Sequence, residues 1–277
     1  MSPERIPVFW SIAAAWLVAL SLAVGPLLAR IGLVRPNFRG DRIPAGYGVL
    51  VLLWSGPVLA ALALGLPAIR REIAAYLAVV VGMGLLGFVD DVWGDRTRTG
   101  LKGHFRAFFV EGVVTTGFVK AAGGMAVAIA APRVILALSW PDAILDGAVI
   151  ALSANALNLL DLRPGRAGAA FLLLGATLVL ARWSTPEGMP LLFVFIPALV
   201  VYERDSRGRV MMGDAGSNLL GGALGISYVL AFPSSVARII LLGLLVALHV
   251  VAERISISRA IEHSPILRRI DRLTGIR

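Results

Sequence analysis

The chain has 277 residues, 58% of them hydrophobic and 16% charged, with a formal net charge of +9 and no cysteine. So large an apolar share excludes an ordinary soluble domain, and the lack of thiols excludes disulfides, a cysteine nucleophile and a thiolate metal site. The 26 Lys and Arg against 17 Asp and Glu would raise nucleic acid as a partner for a soluble protein. In a membrane protein, arginine-rich loops instead serve retention on the cytoplasmic side and attraction to anionic headgroups, so no nucleic acid is expected.

Nine apolar segments follow one another: residues 9–31, 46–64, 73–89, 113–131, 143–160, 167–183, 189–202, 215–232 and 239–252. Several fall short of the roughly 20 residues of a straight span, the seventh most clearly. The first follows Met1-Ser-Pro-Glu-Arg5 and is too long, with no small-residue cleavage site, for a removed signal peptide; it is expected to stay as a helix. No repeat, low-complexity stretch or linker divides the chain. The expected fold is all-α: a polytopic transmembrane bundle of about nine spans in a single domain over residues 1–277.

Basic residues set the orientation. Most lie in the loops after the first, third, fifth and seventh segments and in the tail: Arg30, Arg35, Arg39 and Arg42; Arg96, Arg98, Lys102 and Arg106; Arg163 and Arg166; Arg204, Arg207 and Arg209; then Arg254 onward. The positive-inside rule puts the N-terminus outside and the C-terminus in the cytoplasm of a cell membrane, with the functional face inward.

The acids sort to the same side. Asp90 and Asp91 close the third segment in Gly87-Phe-Val-Asp90-Asp91-Val-Trp-Gly-Asp95, Asp161 closes the fifth in Asn155-Ala-Leu-Asn158-Leu-Leu-Asp161, and Asp214 opens the eighth in Met212-Gly-Asp214-Ala-Gly-Ser217-Asn218. Any one acid at a helix boundary can be a solvated residue or a cap, and Asp214 before Ala-Gly-Ser suits an N-cap. Taken together with Asn155 and Asn158, a helical turn from a carboxylate beside long apolar runs, they point to a polar cavity where ionisable groups act. Carboxylate and amide oxygens without cysteine suit Mg²⁺ or Mn²⁺. Arg96, Arg98, Lys102 and Lys120 are placed to take phosphate charge. That set describes phosphoryl transfer at a membrane surface, with Asp90, Asp91 and Asp214 around one cation.

Of the three histidines, His104 in the loop after Asp91 can face substrate, His249 sits in an apolar helix where packing explains it, and His263 is interfacial; their spacing makes no zinc site. Residues 255–277 read as a cytoplasmic interfacial tail. Ser264 caps a helix with Pro265 at its first position, so that Ile266, Ile270 and Leu273 share a face and Arg268, Arg269 and Arg272 lie largely on the others.

In order and sidedness, Gly87-Phe-Val-Asp90-Asp91, Asn155-Ala-Leu-Asn158-Leu-Leu-Asp161 and Met212-Gly-Asp214-Ala-Gly-Ser217, together with Pro36-Asn37-Phe-Arg39 and Ile43-Pro44-Ala-Gly46-Tyr-Gly48, resemble the polyprenyl-phosphate N-acetylhexosamine-1-phosphate transferases. These include translocase I of peptidoglycan synthesis and the enzymes that begin teichoic acid and O-antigen chains. The resemblance runs from about residue 30 to 272. It implies a Mg²⁺-dependent exchange in which undecaprenyl phosphate attacks the β-phosphorus of a UDP-sugar, giving a polyprenyl-diphospho-sugar and UMP for cell-envelope glycan synthesis. By motif, Asp90 and Asp91 orient or deprotonate the lipid phosphate and Asp214 binds the metal. Asn155, Asn158 and Asp161 line the nucleotide-sugar pocket with Ser217, and Lys102, Lys120 and His104 are substrate partners. The implied partners are the lipid phosphate, the UDP-sugar and the bacterial inner membrane; a homodimer is compatible with it.

Three departures stand out. The family's Asp-Gly-Xaa-Asp-Gly reads here Asp161-Leu-Arg163-Pro-Gly165-Arg166, which assigns Arg163 and Arg166 to the donor's diphosphate or to an acidic group on its sugar. The His-rich motif near the C-terminus is missing, and nine segments stand for ten or eleven; a divergent, shortened member is expected, with the tail helix as a lid on the acceptor side. Two other readings stay open: an intramembrane prenyltransferase, for which Asp91-Val-Trp-Gly-Asp95 has a suitable spacing but no second acidic run exists, and a scaffold or lipid transporter built on the transferase fold.

Overall fold

The computed structural model describes residues 5–94, 112–182 and 189–276. Among the described residues, nine long helices carry the nine apolar segments: α1 (Arg5–Arg30), α2 (Val49–Gly65), α3 (Arg70–Trp93), α4 (Thr116–Ala130), α5 (Trp140–Leu160), α6 (Arg166–Ala181), α7 (Met189–Ser206), α8 (Gly213–Ala231) and α9 (Ser235–Arg254). Two short helices close the chain, α10 (Ile257–His263) and α11 (Pro265–Thr274). Among the described residues, five stretches are long and apolar enough to cross a membrane: Ile6–Arg30, Pro67–Trp93, Thr116–Ile135, Trp140–Leu160 and Ser235–Arg254. The chain is a multi-pass helical membrane protein. Helices α2 and α6 are apolar but shorter, at 17 and 16 residues.

The fold is not purely helical. Strands β1 (Val34–Pro36) and β2 (Arg42–Pro44) form an antiparallel hairpin with Val34 opposite Pro44 and Pro36 opposite Arg42. Its turn is local chemistry that an apolar-segment reading passes over. The Asn37 side-chain oxygen accepts from the Arg39 and Asp41 backbone N–H groups at 2.8 and 2.9 Å, an Asx-type arrangement that competes with helix.

Helix α8 is the axis of the bundle. It packs most extensively against α3 and α5, and nearly every one of its residues is buried. Wrapped by protein rather than lipid, it tolerates Ser217, Asn218 and Ser227 where a lipid-facing helix would carry aliphatics. Its small residues let neighbouring backbones touch: a Cβ on Gly221 would stand 2.3 Å from the Ser153 carbonyl oxygen and 2.5 Å from Ala154 Cα. Around this axis, indole and hydroxyl donors tie helices together, Trp54 Nε1 to Ala13 O at 2.8 Å and Ser55 Oγ to Phe193 O at 2.8 Å.

At the end of the bundle remote from Asp90 and Asp214, α5 and α9 are held by a buried ion pair. Arg238 donates to Asp146 Oδ1 at 2.6 Å and to Pro233 O at 2.8 Å, and stands 3.7 Å from Asp142. Arg238 and Asp146 are 8% and 3% exposed, so removing one partner strands the other charge. Asp146→Ala is expected to cost about 3–5 kcal/mol of stability, read as a fall in the melting temperature of the purified protein in detergent. A melting temperature unchanged from wild type contradicts this.

The tail is docked, not frayed. Arg166 holds Asp271 through Nε at 2.5 Å and NH2 at 3.0 Å and Ser258 through NH1 at 2.9 Å, while Ile276 N–H donates to Ser206 O at 2.8 Å.

Candidate functional site

The last turn of α3, the first turns of α4 and α8, and the last turns of α5 meet at one end of the bundle. Thr115 caps α4, its Oγ1 accepting from Phe118 N–H at 3.2 Å, and one turn later Lys120 points at α3 and α8. Its Nζ donates to Asp90 Oδ2 at 3.1 Å and to Asp214 Oδ2. All three side chains are about a fifth to a quarter exposed, at 20%, 19% and 25%. They form a charged group open to solvent on one side.

Asp91 does not join them. Helix α8 starts after Met212 with no side-chain cap of its own, leaving N–H groups unpaired at the positive end of its dipole. Asp91 supplies the cap across the helix interface: Oδ1 accepts from Asp214 N–H and Oδ2 from Ala215 N–H, both at 2.9 Å. Both of its oxygens are engaged by backbone. The consecutive acids therefore divide, Asp90 facing Lys120 and Asp91 fixing where α8, and so Asp214, begins. Gly213, at φ +74, makes the turn into the helix.

The α5 cluster lies alongside. Ser217 Oγ is within bonding distance of Asn158 Oδ1 (3.2 Å) and of Gly213 O (3.1 Å), and Asn218 Nδ2 donates to Asp214 O at 2.9 Å. Asn155 and Asn158 are half-buried on the same helix. Burial and the nearby carboxylates of Asp205, Asp214 and Asp91 push the Asp161 carboxyl well above its ordinary range, the Gly213 N–H opposing them.

Asp205, near the end of α7, went unnoticed in the sequence. It is 4% exposed, accepts from Gly165 N–H at 2.7 Å and from Met212 N–H at 3.0 Å, and thereby ties the α5–α6 turn to the start of α8. Its signal was an acid lying among the arginines of a loop read only for its charge. Arg163 and Arg166 face the tail: Arg166 is bound to Asp271 and Ser258, and Arg163 stands 3.9 Å from Glu262. Lys102 and His104, with Arg96 and Arg98, lie outside the described residues.

Among the described residues no cluster of three or more His, Cys, Asp or Glu could hold a metal. Two carboxylates reaching one point, as Asp90 and Asp214 do on Lys120, do match the habit of Mg²⁺, which takes one or two carboxylates and completes its shell with water and substrate phosphate.

The sequence pattern of the family described as Glycosyl transferase family 4 matches residues 73–232, a stretch that holds Asp90, Asp91, Lys120, Asn155, Asn158, Asp161 and Asp214. The chain is also similar to a phospho-N-acetylmuramoyl-pentapeptide-transferase of Nostoc sp. (strain PCC 7120 / SAG 25.82 / UTEX 2576), at 33% identity over 193 residues, 62% of this chain and 49% of that protein. The chain spans about half the length of this curated relative. With more than half of its residues matched, and its facing carboxylates inside the match, the chain belongs to glycosyl transferase family 4.

Proposed function

We propose that the protein transfers a sugar-1-phosphate, of the N-acetylhexosamine class, from a UDP-sugar to undecaprenyl or another polyprenyl phosphate. An oxygen of the lipid phosphate attacks the β-phosphorus of the donor, the bond to the α-phosphate oxygen breaks, and UMP leaves with the electron pair. The observation that carries this reading is the meeting of Asp90 and Asp214 on Lys120 at the helix end beside Asn155, Asn158 and Asp161.

Asp90 orients the attacking phosphate and accepts its proton if it arrives protonated. Asp214 and Asp90 would hold a divalent cation, Mg²⁺ or Mn²⁺, and such a cation, when bound, would supply positive charge to offset that of the phosphates. Lys120, already balanced between the two acids, turns to phosphate oxygens when substrate brings its own negative charge. Asn155, Asn158 and Asp161 offer amide and carboxyl groups to the nucleotide-sugar. Asp91 and Ser217 fix the start of α8. The test is reconstituted protein with both substrates and Mg²⁺: UMP release that requires both substrates supports the reading, and UMP release without lipid phosphate, or none at all, overturns it.

We further read all nine helices as spans of a bacterial inner membrane, with the N-terminus outside and the site facing the cytoplasm, as the distribution of arginines favours. The shorter α2 and α6 cross where tilt and local thinning allow. A reporter fused after Arg277 is then expected to read cytoplasmic; a periplasmic signal contradicts the orientation.

A further inference from the structure

Helix α9 ends at Arg254, Ile255 is extended, and Ser256 accepts from Arg259 N–H to start α10. Ser264 then accepts from Leu267 N–H at 3.4 Å and starts α11, with Pro265 at its first position. The two short helices thus leave directly from the end of a helix long and apolar enough to cross a membrane.

Helix α11 has three sides. One faces the protein: Asp271 is paired to Arg166, and the backbone at Thr274 lies so close to Gly165 that a Cβ there would stand 2.0 Å from its carbonyl oxygen. A second carries Ile266, Ile270 and Leu273, which are 73%, 52% and 78% exposed. The third carries Arg268, Arg269 and Arg272, all exposed. An aliphatic stripe left open next to a guanidinium stripe, on a helix held beside the end of a span, has the chemistry of a helix lying in an anionic lipid surface.

We propose that α10 and α11 form an interfacial paddle, with anionic lipid headgroups as its partner, latched to the site-bearing end of the bundle by Arg166. The aliphatic side enters the acyl boundary, and the arginines pair with lipid phosphates. The latch leads inward: Arg166 adjoins Gly165, Gly165 N–H is held by Asp205, and Asp205 also holds Met212 N–H ahead of Asp214. Lipid binding by the paddle therefore steadies the α5–α6 turn. The proposal concerns a surface distinct from the transfer chemistry, and its test needs no turnover.

The chain has no cysteine, so single cysteines can be placed without background. Full-length Ile270→Cys, Leu273→Cys and Arg268→Cys are labelled with an environment-sensitive fluorophore and reconstituted into nanodiscs of phosphatidylcholine alone or with phosphatidylglycerol added. The expected result is blue-shifted emission at 270 and 273, quenched by lipids with a shallow nitroxide and strengthened by phosphatidylglycerol, while the probe at 268 stays open to iodide. Neutralising Arg268, Arg269 and Arg272 to Gln in the Ile270→Cys protein lowers the preference for anionic lipid by about tenfold or more. The proposal is overturned if the probes at 270 and 268 are equally open to iodide in both discs. It is equally overturned if burial at 270 is independent of phosphatidylglycerol, or appears in detergent and rises with protein concentration, which is the mark of a second copy.

Discussion

Asp90→Asn and Asp214→Asn are each expected to lower the rate of UMP release at saturating substrates by at least about 10²-fold, the scale of losing one positioned charge-stabilising group. Each change deletes one of the two carboxylates that meet on Lys120 while keeping side-chain volume, and both positions are partly open to solvent, so membrane insertion and the melting temperature stay near wild type. On the proposed function the loss would combine three effects: a weaker hold on the cation, a Lys120 no longer balanced between two acids, and, at Asp90, no acceptor for a proton. Near wild-type turnover in both variants contradicts the catalytic assignment.

Asp91 is expected to behave differently from the acid beside it. Asp91→Ala leaves the Asp214 and Ala215 N–H groups without their cap in a part-buried interface, at a cost of about 1–3 kcal/mol. Gly87→Ala attacks the same contact from the other side: its Cβ would lie 2.2 Å from Asp214 O and 2.5 Å from Asp214 C, backbone that can yield only by parting α3 from α8, and overpacking of this kind costs about 1–3 kcal/mol. Both changes should lower turnover and melting temperature together, because both displace the start of α8, whereas Asp90→Asn should lower turnover alone. A paired measurement of rate and melting temperature on the three variants checks the division of labour. If Asp91→Ala melts like wild type and loses only activity, Asp91 acts on substrate or metal and the cap is incidental.

That division marks the limit of what the sequence could say. Asp90, Asp91 and Asp214 were legible as a group, since three acids at the ends of apolar runs, with Asn155 and Asn158 beside them, point to a polar cavity. That two of them share a lysine and the third spends both oxygens on backbone depends on how α3 rotates against α8, which no local pattern reports. Lys120 read as a loose phosphate partner, because the turn that aims it at Asp90 is set by the Thr115 cap and by packing on α3 and α5. The apolar runs gave the helices to within a few residues, yet not the central place of α8, whose glycines and serines look merely less hydrophobic until its neighbours are known. Arg163 and Arg166 were assigned to donor chemistry from their place in the motif; the structure surrounds Arg166 with Asp271 and Ser258, partners over ninety residues away. The hairpin at residues 34–44 was lost between two apolar runs because its signal is an asparagine turn rather than a hydrophobic period.

The measurement that bears most directly on the central claim is isotope exchange by the purified protein. Labelled UMP is incubated with unlabelled UDP-N-acetylhexosamine, polyprenyl phosphate and Mg²⁺. Reversible transfer to the lipid predicts label appearing in the UDP-sugar only when the lipid phosphate and the divalent cation are both present, and disappearing in Asp214→Asn. Label entering the UDP-sugar without lipid phosphate, or never entering it while a lipid-linked product of another kind accumulates, would contradict the account.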